Sequence, residues 1–124
     1  VPASLYAEAL ARRGGVLREF CAQAFGAADL LLAPTLRVRV PTRAETDADA
    51  NPENWGRLMA LSVNTRPFNY LGLPVASVPC GFDDRGLPVG MQVIGRPFAE
   101  ARVLRAADAF QRETDWHLRA PVAF

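Results

Sequence analysis

Lysine is missing from this chain altogether: all 14 basic residues among its 124 are arginine. That absence excludes Schiff-base chemistry, a phosphate loop with its lysine, and any serine–lysine dyad within these residues. Histidine is nearly as scarce. His117 stands alone, which excludes a histidine-rich metal site. Two cysteines, Cys21 and Cys80, do not make a disulfide framework, and no C-x-x-C spacing exists. No apolar run approaches the roughly 20 residues needed to cross a bilayer. Val1-Pro2-Ala3 begins no basic-then-apolar signal pattern. The formal net charge of +1 supplies no electrostatic footprint for nucleic acid or an anionic membrane surface. The expectation is therefore a cytoplasmic protein with no metal, no cofactor, no nucleic-acid partner and no membrane contact.

What is present looks globular. Half the residues are apolar and 22% are charged, enough for one domain over 1–124 that buries about two-thirds of its unfolded surface. The chain opens without Met, inside what reads as a helix, and this favours a piece of a longer protein.

Leu5, Leu10, Val16, Leu17, Phe20, Ala24 and Phe25 recur at helical spacing between Ser4 and Phe25. Gly14-Gly15 interrupts the run, at about 1 kcal/mol per glycine, and predicts a kink or two shorter helices. Asp29 to Thr35 reads as a short strand ended by Pro34, apolar enough to be covered on both faces. Residues 37–54 are polar and read as a surface loop. Its acidic positions Glu45, Asp47, Asp49 and Glu53 follow no liganding pattern such as an EF-hand. A helix is predicted from Pro52 to Asn64.

Pro67 marks a boundary and can begin a one-turn helix, with Gly72 closing it in a left-handed conformation. Two strands follow, at 75–82 and 89–94, joined as a β-hairpin through Asp83-Asp84-Arg85-Gly86. Pro79 argues for an edge strand or a bulge. Ser77, Gly81 and Gly90 are small and permit close approach of another backbone or helix. The last helix, 99–114, turns Val103, Leu104, Ala107 and Phe110 inward. The predicted order is α-β-α-α-β-β-α, an α/β fold.

Few residues offer chemistry. No G-x-S-x-G elbow surrounds Ser4, Ser62 or Ser77, and no G-x-G-x-x-G phosphate loop exists. Cys80 with His117 would be a thiol–imidazole pair, but Cys80 reads as a small residue on a buried strand and His117 as a helix-end or surface residue. Cys21 reads as core. The arginines are scattered rather than interleaved with aromatics, which leaves a nucleic-acid face unsupported.

The stretch from Thr65 to Gly81, TRPFNYLGLPVASVPCG, runs on through Gly86-Leu87-Pro88-Val89-Gly90-Met91-Gln92-Val93-Ile94-Gly95. It resembles the amidase signature family, whose last third reads T-x-P-x-N-x-x-G-L-P, then S-x-P-x-G, then G-L-P-x-G-x-Q-x-x-G. Asp29 to Thr35 looks like that family's D-x-L-x-x-P-T. The resemblance covers nearly the whole chain, least over 36–54, and places it as a C-terminal segment.

It implies strands and helices belonging to a large mixed sheet. It also implies hydrolysis of an amide C–N bond by a Ser–cis-Ser–Lys triad lying upstream, none of which matches a position here. The partners implied are a small-molecule amide substrate and the N-terminal portion of the same enzyme. Thr65, Arg66, Phe68 and Asn69 are the expected pocket-facing group, against a rival role in capping and turn formation around Pro67. Gly72, Pro74, Gly90 and Gln92 are expected to be structural. The A subunits of glutamine-dependent tRNA amidotransferases usually carry an acidic residue just before the T-x-P motif, where it engages the glutamine amine. Ser62 stands there, which favours a general amidase. The alternatives are a fragment of such an A subunit and, from a different class, a non-enzymatic module that pairs its orphaned apolar faces into a homodimer.

Overall fold

The computed structural model describes residues 1–120. Helix α1 (Ala3–Phe20) runs into a wide π turn at Cys21–Phe25, and strand β1 (Leu30–Pro34) follows. Short helices α2 (Arg43–Thr46), α3 (Trp55–Ala60) and α4 (Arg66–Leu71) lead to β2 (Val75–Phe82), β3 (Pro88–Gly95) and α5 (Glu100–Glu113). The strands lie in the order β1-β3-β2, with both pairings antiparallel. Within the described residues the sheet is thus wholly antiparallel rather than mixed.

Cross-strand partners share a face, so the register sorts the side chains. Leu32, Val93 and Ala76 align on one face, with Pro34, Met91 and Val78 beside them. Helix α5 covers the β2–β3 part of this face with Val103 and Ala107, both buried. Leu31, Ile94 and Val75 align on the other. There Ile94 joins Phe25, Leu71 and Leu73 in a core completed by Leu17, Phe20, Cys21, Leu31, Ala33 and Phe68. Leu17, Phe20 and Cys21 are spaced to share one side of α1 and of the turn that continues it. The Phe20 ring meets Phe25 and Phe68 edge-on, at 6.1 Å each, each pair adding about 0.5–1.5 kcal/mol beyond burial.

Several expectations change. Helix α1 runs unbroken through Gly14-Gly15, and the irregularity falls later, at the π turn. Leu5, Leu10 and Val16 are exposed, because only the C-terminal end of α1 meets the core. Strand β1 is covered on one face only: Leu32 is 66% exposed. Leu104 points outward, since Val103 and Ala107, four apart, define the inward line of α5.

The 37–54 segment is not all loop. Thr42 and Glu45 form a capping box in which Glu45 N–H donates to Thr42 Oγ1 and Thr42 N–H donates to Glu45 Oε2 at 2.8 Å. This nucleates α2, the one helix missing from the predicted order. Arg57 then joins α3 to Glu45 at 2.9 Å. The Thr42 N–H, then the Thr42 hydroxyl and Arg57, hold the Glu45 carboxyl below its usual range. The helix predicted over 52–64 is instead a 3-10 turn, α3 and a run of turns.

The hairpin forms as expected, with a bulge between Pro79 and Gly81 that leaves Cys80 without a partner on β3. Pro79 lacks the N–H a regular ladder requires, and β2 lies at the edge of the sheet. At the hairpin tip, Asp83 Oδ1 accepts from the N–H groups of Arg85 and Leu87, both at 2.9 Å.

At the centre of β3, Gln92 is 2% exposed. Its Nε2 donates to Pro34 O at 3.3 Å and Asn64 O at 3.2 Å, while Asn64 Nδ2 donates to Pro34 O at 2.9 Å. Replacing Gln92 with Leu keeps much of the shape but leaves Asn64 O without this donor. We expect a loss of about 1–3 kcal/mol in urea unfolding and faster amide exchange over 62–66. An unchanged midpoint would rule out this bracing role.

The Leu87 N–H, and then Arg85, hold the Asp83 carboxyl below its ordinary value of 3.8. A depressed folded value stabilises the fold above the unfolded value, and that stabilisation is lost as pH falls through the folded one. Asp83→Asn should therefore lower the melting temperature near pH 7 and flatten the acid limb of its pH profile. An acid limb as steep as the parent's would refute it.

Candidate functional site

The motif-bearing segment begins where α3 ends. The last carbonyls of a helix lack partners within it, and here they and the turn that follows are met by backbone N–H groups and side chains of residues 61–66. Ser62 O accepts from the Arg66 N–H at 2.9 Å, the Thr65 N–H at 3.2 Å and the Thr65 hydroxyl at 3.2 Å. The Arg66 guanidinium donates to Ser62 O and to Met59 O. Pro67 then sits in the first turn of α4, where its missing N–H costs nothing. Gly72, at φ 70°, closes α4 in the left-handed region, with its N–H on Phe68 O at 2.8 Å.

Beyond this turn lies an open groove of about 500 Å³, between α4, the start of β2 and the start of α5. Phe68, Asn69, Leu73, Ala76, Glu100 and Val103 contribute to its walls. Two of the four expected pocket residues, Phe68 and Asn69, therefore come to one cavity. Phe68 is half-buried with its ring against Phe20, whereas Asn69 is exposed. Thr65 and Arg66 are engaged by the backbone of the α3–α4 turn. Ser62 is half-buried, its hydroxyl directed at Met59 O.

Sequence reasoning missed Glu100, which reads simply as part of the first turn of an amphipathic helix. It also missed a hydroxyl pair. Thr35 Oγ1 and Ser77 Oγ lie 2.7 Å apart across β3. They meet above Gly90, where a Cβ would come within 2.8 Å of Thr35 Oγ1. The small residues at 77 and 90 signalled close approach, but a hydroxyl occupies the space rather than a backbone or helix.

Other candidates do not assemble. The Cys80 thiol is directed at Val89 O, 3.5 Å away, while His117 is exposed in the 3-10 turn Trp116–Leu118; no hydrogen bond joins them. A second hollow, of about 280 Å³, is walled in part by Arg39, Arg57 and Arg85. Each of these is paired: to Asp84 at 3.1 Å, Glu45 at 2.9 Å and Asp83 at 2.9 Å. Among the described residues no group of three or more His, Cys, Asp or Glu could hold a metal ion. No helix among them is long and apolar enough to cross a membrane.

Similarity to known proteins extends across the same motifs. The Amidase family pattern matches residues 2–104. The chain is 48% identical over 99 residues to the A subunit of glutamyl-tRNA(Gln) amidotransferase from Chloroflexus aggregans, covering 80% of this chain and 19% of that protein. Identity to the A subunit from Methanosarcina acetivorans is 42% over 119 residues, or 94% of this chain and 23% of the relative. The chain thus spans about a fifth of the length of these curated relatives.

Among solved structures, the A subunit from Thermotoga maritima superposes with a TM-score of 0.68 at 33% identity, covering 90% of this chain and 23% of that one. A 6-aminohexanoate cyclic dimer hydrolase in complex with substrate gives 0.72 at 29%, covering 96% and 25%. With the family pattern spanning most of its length and its motifs on the elements just described, the chain belongs to the amidase family.

Proposed function

We propose that this chain is the segment of an amidase that walls one side of the substrate pocket, while a Ser–cis-Ser–Lys triad in the upstream portion carries out the hydrolysis. The observation that carries this reading is family membership combined with the complete lack of lysine. In the family mechanism, lysine deprotonates through the bridging serine, the nucleophilic serine attacks the amide carbonyl, and backbone N–H groups hold the oxyanion. This chain's part is to orient and enclose the substrate. Asn69 offers the groove an exposed amide with both donors and an acceptor, and Phe68 offers an apolar face. Thr65 and Arg66 hold the turn that carries those two residues, and so act on the pocket through its shape.

A second reading, a segment of the A subunit of a glutamine-dependent amidotransferase, is favoured by the 42–48% identity to such proteins. The serine at position 62, in place of the acidic residue that would meet a glutamine amine, favours a general amidase.

Mixing this chain with the upstream part of the Chloroflexus aggregans protein, truncated before the matching segment, tests both readings. The chain alone should hydrolyse no amide, and the mixture should. Asn69→Ala in the mixture should raise KM about tenfold, the equivalent of one lost hydrogen bond, with a smaller change in kcat. Ser62→Asp should raise glutamine turnover relative to a neutral amide. Turnover by the chain alone would overturn the assignment of chemistry to the upstream portion. Strong glutamine hydrolysis with Ser62 in place would make the amidotransferase reading the better one.

A further inference from the structure

After β3 the chain turns sharply through Arg96-Pro97-Phe98-Ala99, closed by the Ala99 N–H donating to Arg96 O at 3.0 Å. Proline suits the second position of such a turn, and a left-handed third position calls for glycine or asparagine. Phe98 occupies that third position with φ at 62°, the one non-glycine residue among those described with a positive φ. Its side chain is 94% exposed. A large aromatic is thus disfavoured here twice, by backbone handedness and by contact with water.

The turn beneath it is firmly held. The Arg96 guanidinium donates to Gly26 O at 2.9 Å and Ala28 O at 3.2 Å, and lies 4.8 Å from the centroid of the Phe25 ring. Arg102, in the first turn of α5, pairs with Asp29. Phe98 is therefore a ring displayed on a stiff pedestal, and docking such a residue forfeits little conformational freedom. Nothing it contacts among the described residues offsets either cost, and unoffset local strain is where an external function is expected.

We propose that Phe98 is the anchor by which this segment docks into an apolar pocket on the remaining, upstream part of its own enzyme. The inference rests on the functional reading above and adds the contact that holds the two parts together. The occupant follows from length: the curated relatives extend over four to five times the span this chain matches. Exposed Leu5, Leu10, Leu32 and Leu104 add apolar surface for the same large body to cover. Single aromatics seated in a desolvated pocket commonly dominate such interfaces.

Phe98→Gly separates anchoring from folding, because glycine relieves the left-handed backbone while removing the ring. Three quantities would be compared for the parent, Phe98→Gly and Phe98→Ala: the melting temperature of the chain, its mass by light scattering, and its affinity for the truncated Chloroflexus aggregans protein. We expect Phe98→Gly to melt no lower than the parent and to bind the truncated protein at least about tenfold more weakly. Phe98→Ala should bind as weakly without any gain in melting temperature.

Equal affinity of parent and Phe98→Gly would overturn the anchor while leaving the assembly reading in place. A lower melting temperature for Phe98→Gly would overturn it too, by showing that the ring supports the chain's own fold. A parent dimer that Phe98→Gly converts to monomer, with unchanged affinity for the truncated protein, would make the occupant a second copy. If the parent shows no affinity for the truncated protein, the assembly reading falls and the anchor with it.

Discussion

Among the described strands only β3 has a neighbour on both sides, and the rest of the molecule depends on what it can hold in place. Strands β1 and β2 both run antiparallel to it and so parallel to each other, on opposite edges. Parallel edges cannot be joined by a tight turn. The chain must therefore cross from one side of β3 to the other between Pro34 and Val75, and α2, α3 and α4 are built within that crossing. Gln92 braces the crossing from beneath, because one buried amide holds both the end of β1 and the residue before the T-x-P motif. The position of the candidate pocket wall follows from this brace, since Phe68 and Asn69 extend from a turn whose start is fixed to the middle of the sheet.

The polar groups of that turn are largely consumed by the turn itself. Four hydrogen bonds from Thr65 and Arg66 converge on Ser62 O, and Arg66 reaches back to Met59 O. No buried side-chain nitrogen or oxygen among the described residues lacks a partner. A turn satisfied internally makes a stiff wall, which suits the proposed role of orienting a substrate attacked by groups elsewhere. It also explains why Thr65 and Arg66, which look reactive in sequence, belong to the architecture: both are engaged by the carbonyls of the turn.

Much of this was legible in the residues. The hairpin followed from its Asp-Asp-Arg-Gly connector, the short α4 from Pro67 and Gly72, and the bulge from Pro79, because each rests on a local steric rule. The motif order from Asp29 to Gly95 pointed to the family now matched. Helix α2 was equally legible, since Thr42 and Glu45 stand at capping-box spacing, but the charge of the surrounding segment hid it. Periodicity misled at Leu5, Leu10 and Leu104, because a helical stripe shows which side is apolar and not whether anything lies against it. The same limit applied at Leu32, on a strand apolar enough to be covered twice yet covered once. For the candidate site, Phe68 and Asn69 were named from the motif and line the groove, whereas Glu100 at the groove and the Thr35–Ser77 pair depend on which elements become neighbours, a tertiary fact.

These exposed stripes and the small core have one origin. Eight apolar side chains are buried among the described residues, all of them on the sheet or on the elements packed against it. The first half of α1, the outer face of β1 and the turn at Phe98 present apolar surface to water instead. So few fully buried side chains, beside so much apolar surface left in water, make the core small for a chain of this length. A body that covers the exposed surfaces would stabilise the folded segment by mass action as it binds. Docking and folding are then one equilibrium, and a change that strengthens the core around β3 strengthens the assembly without touching the interface.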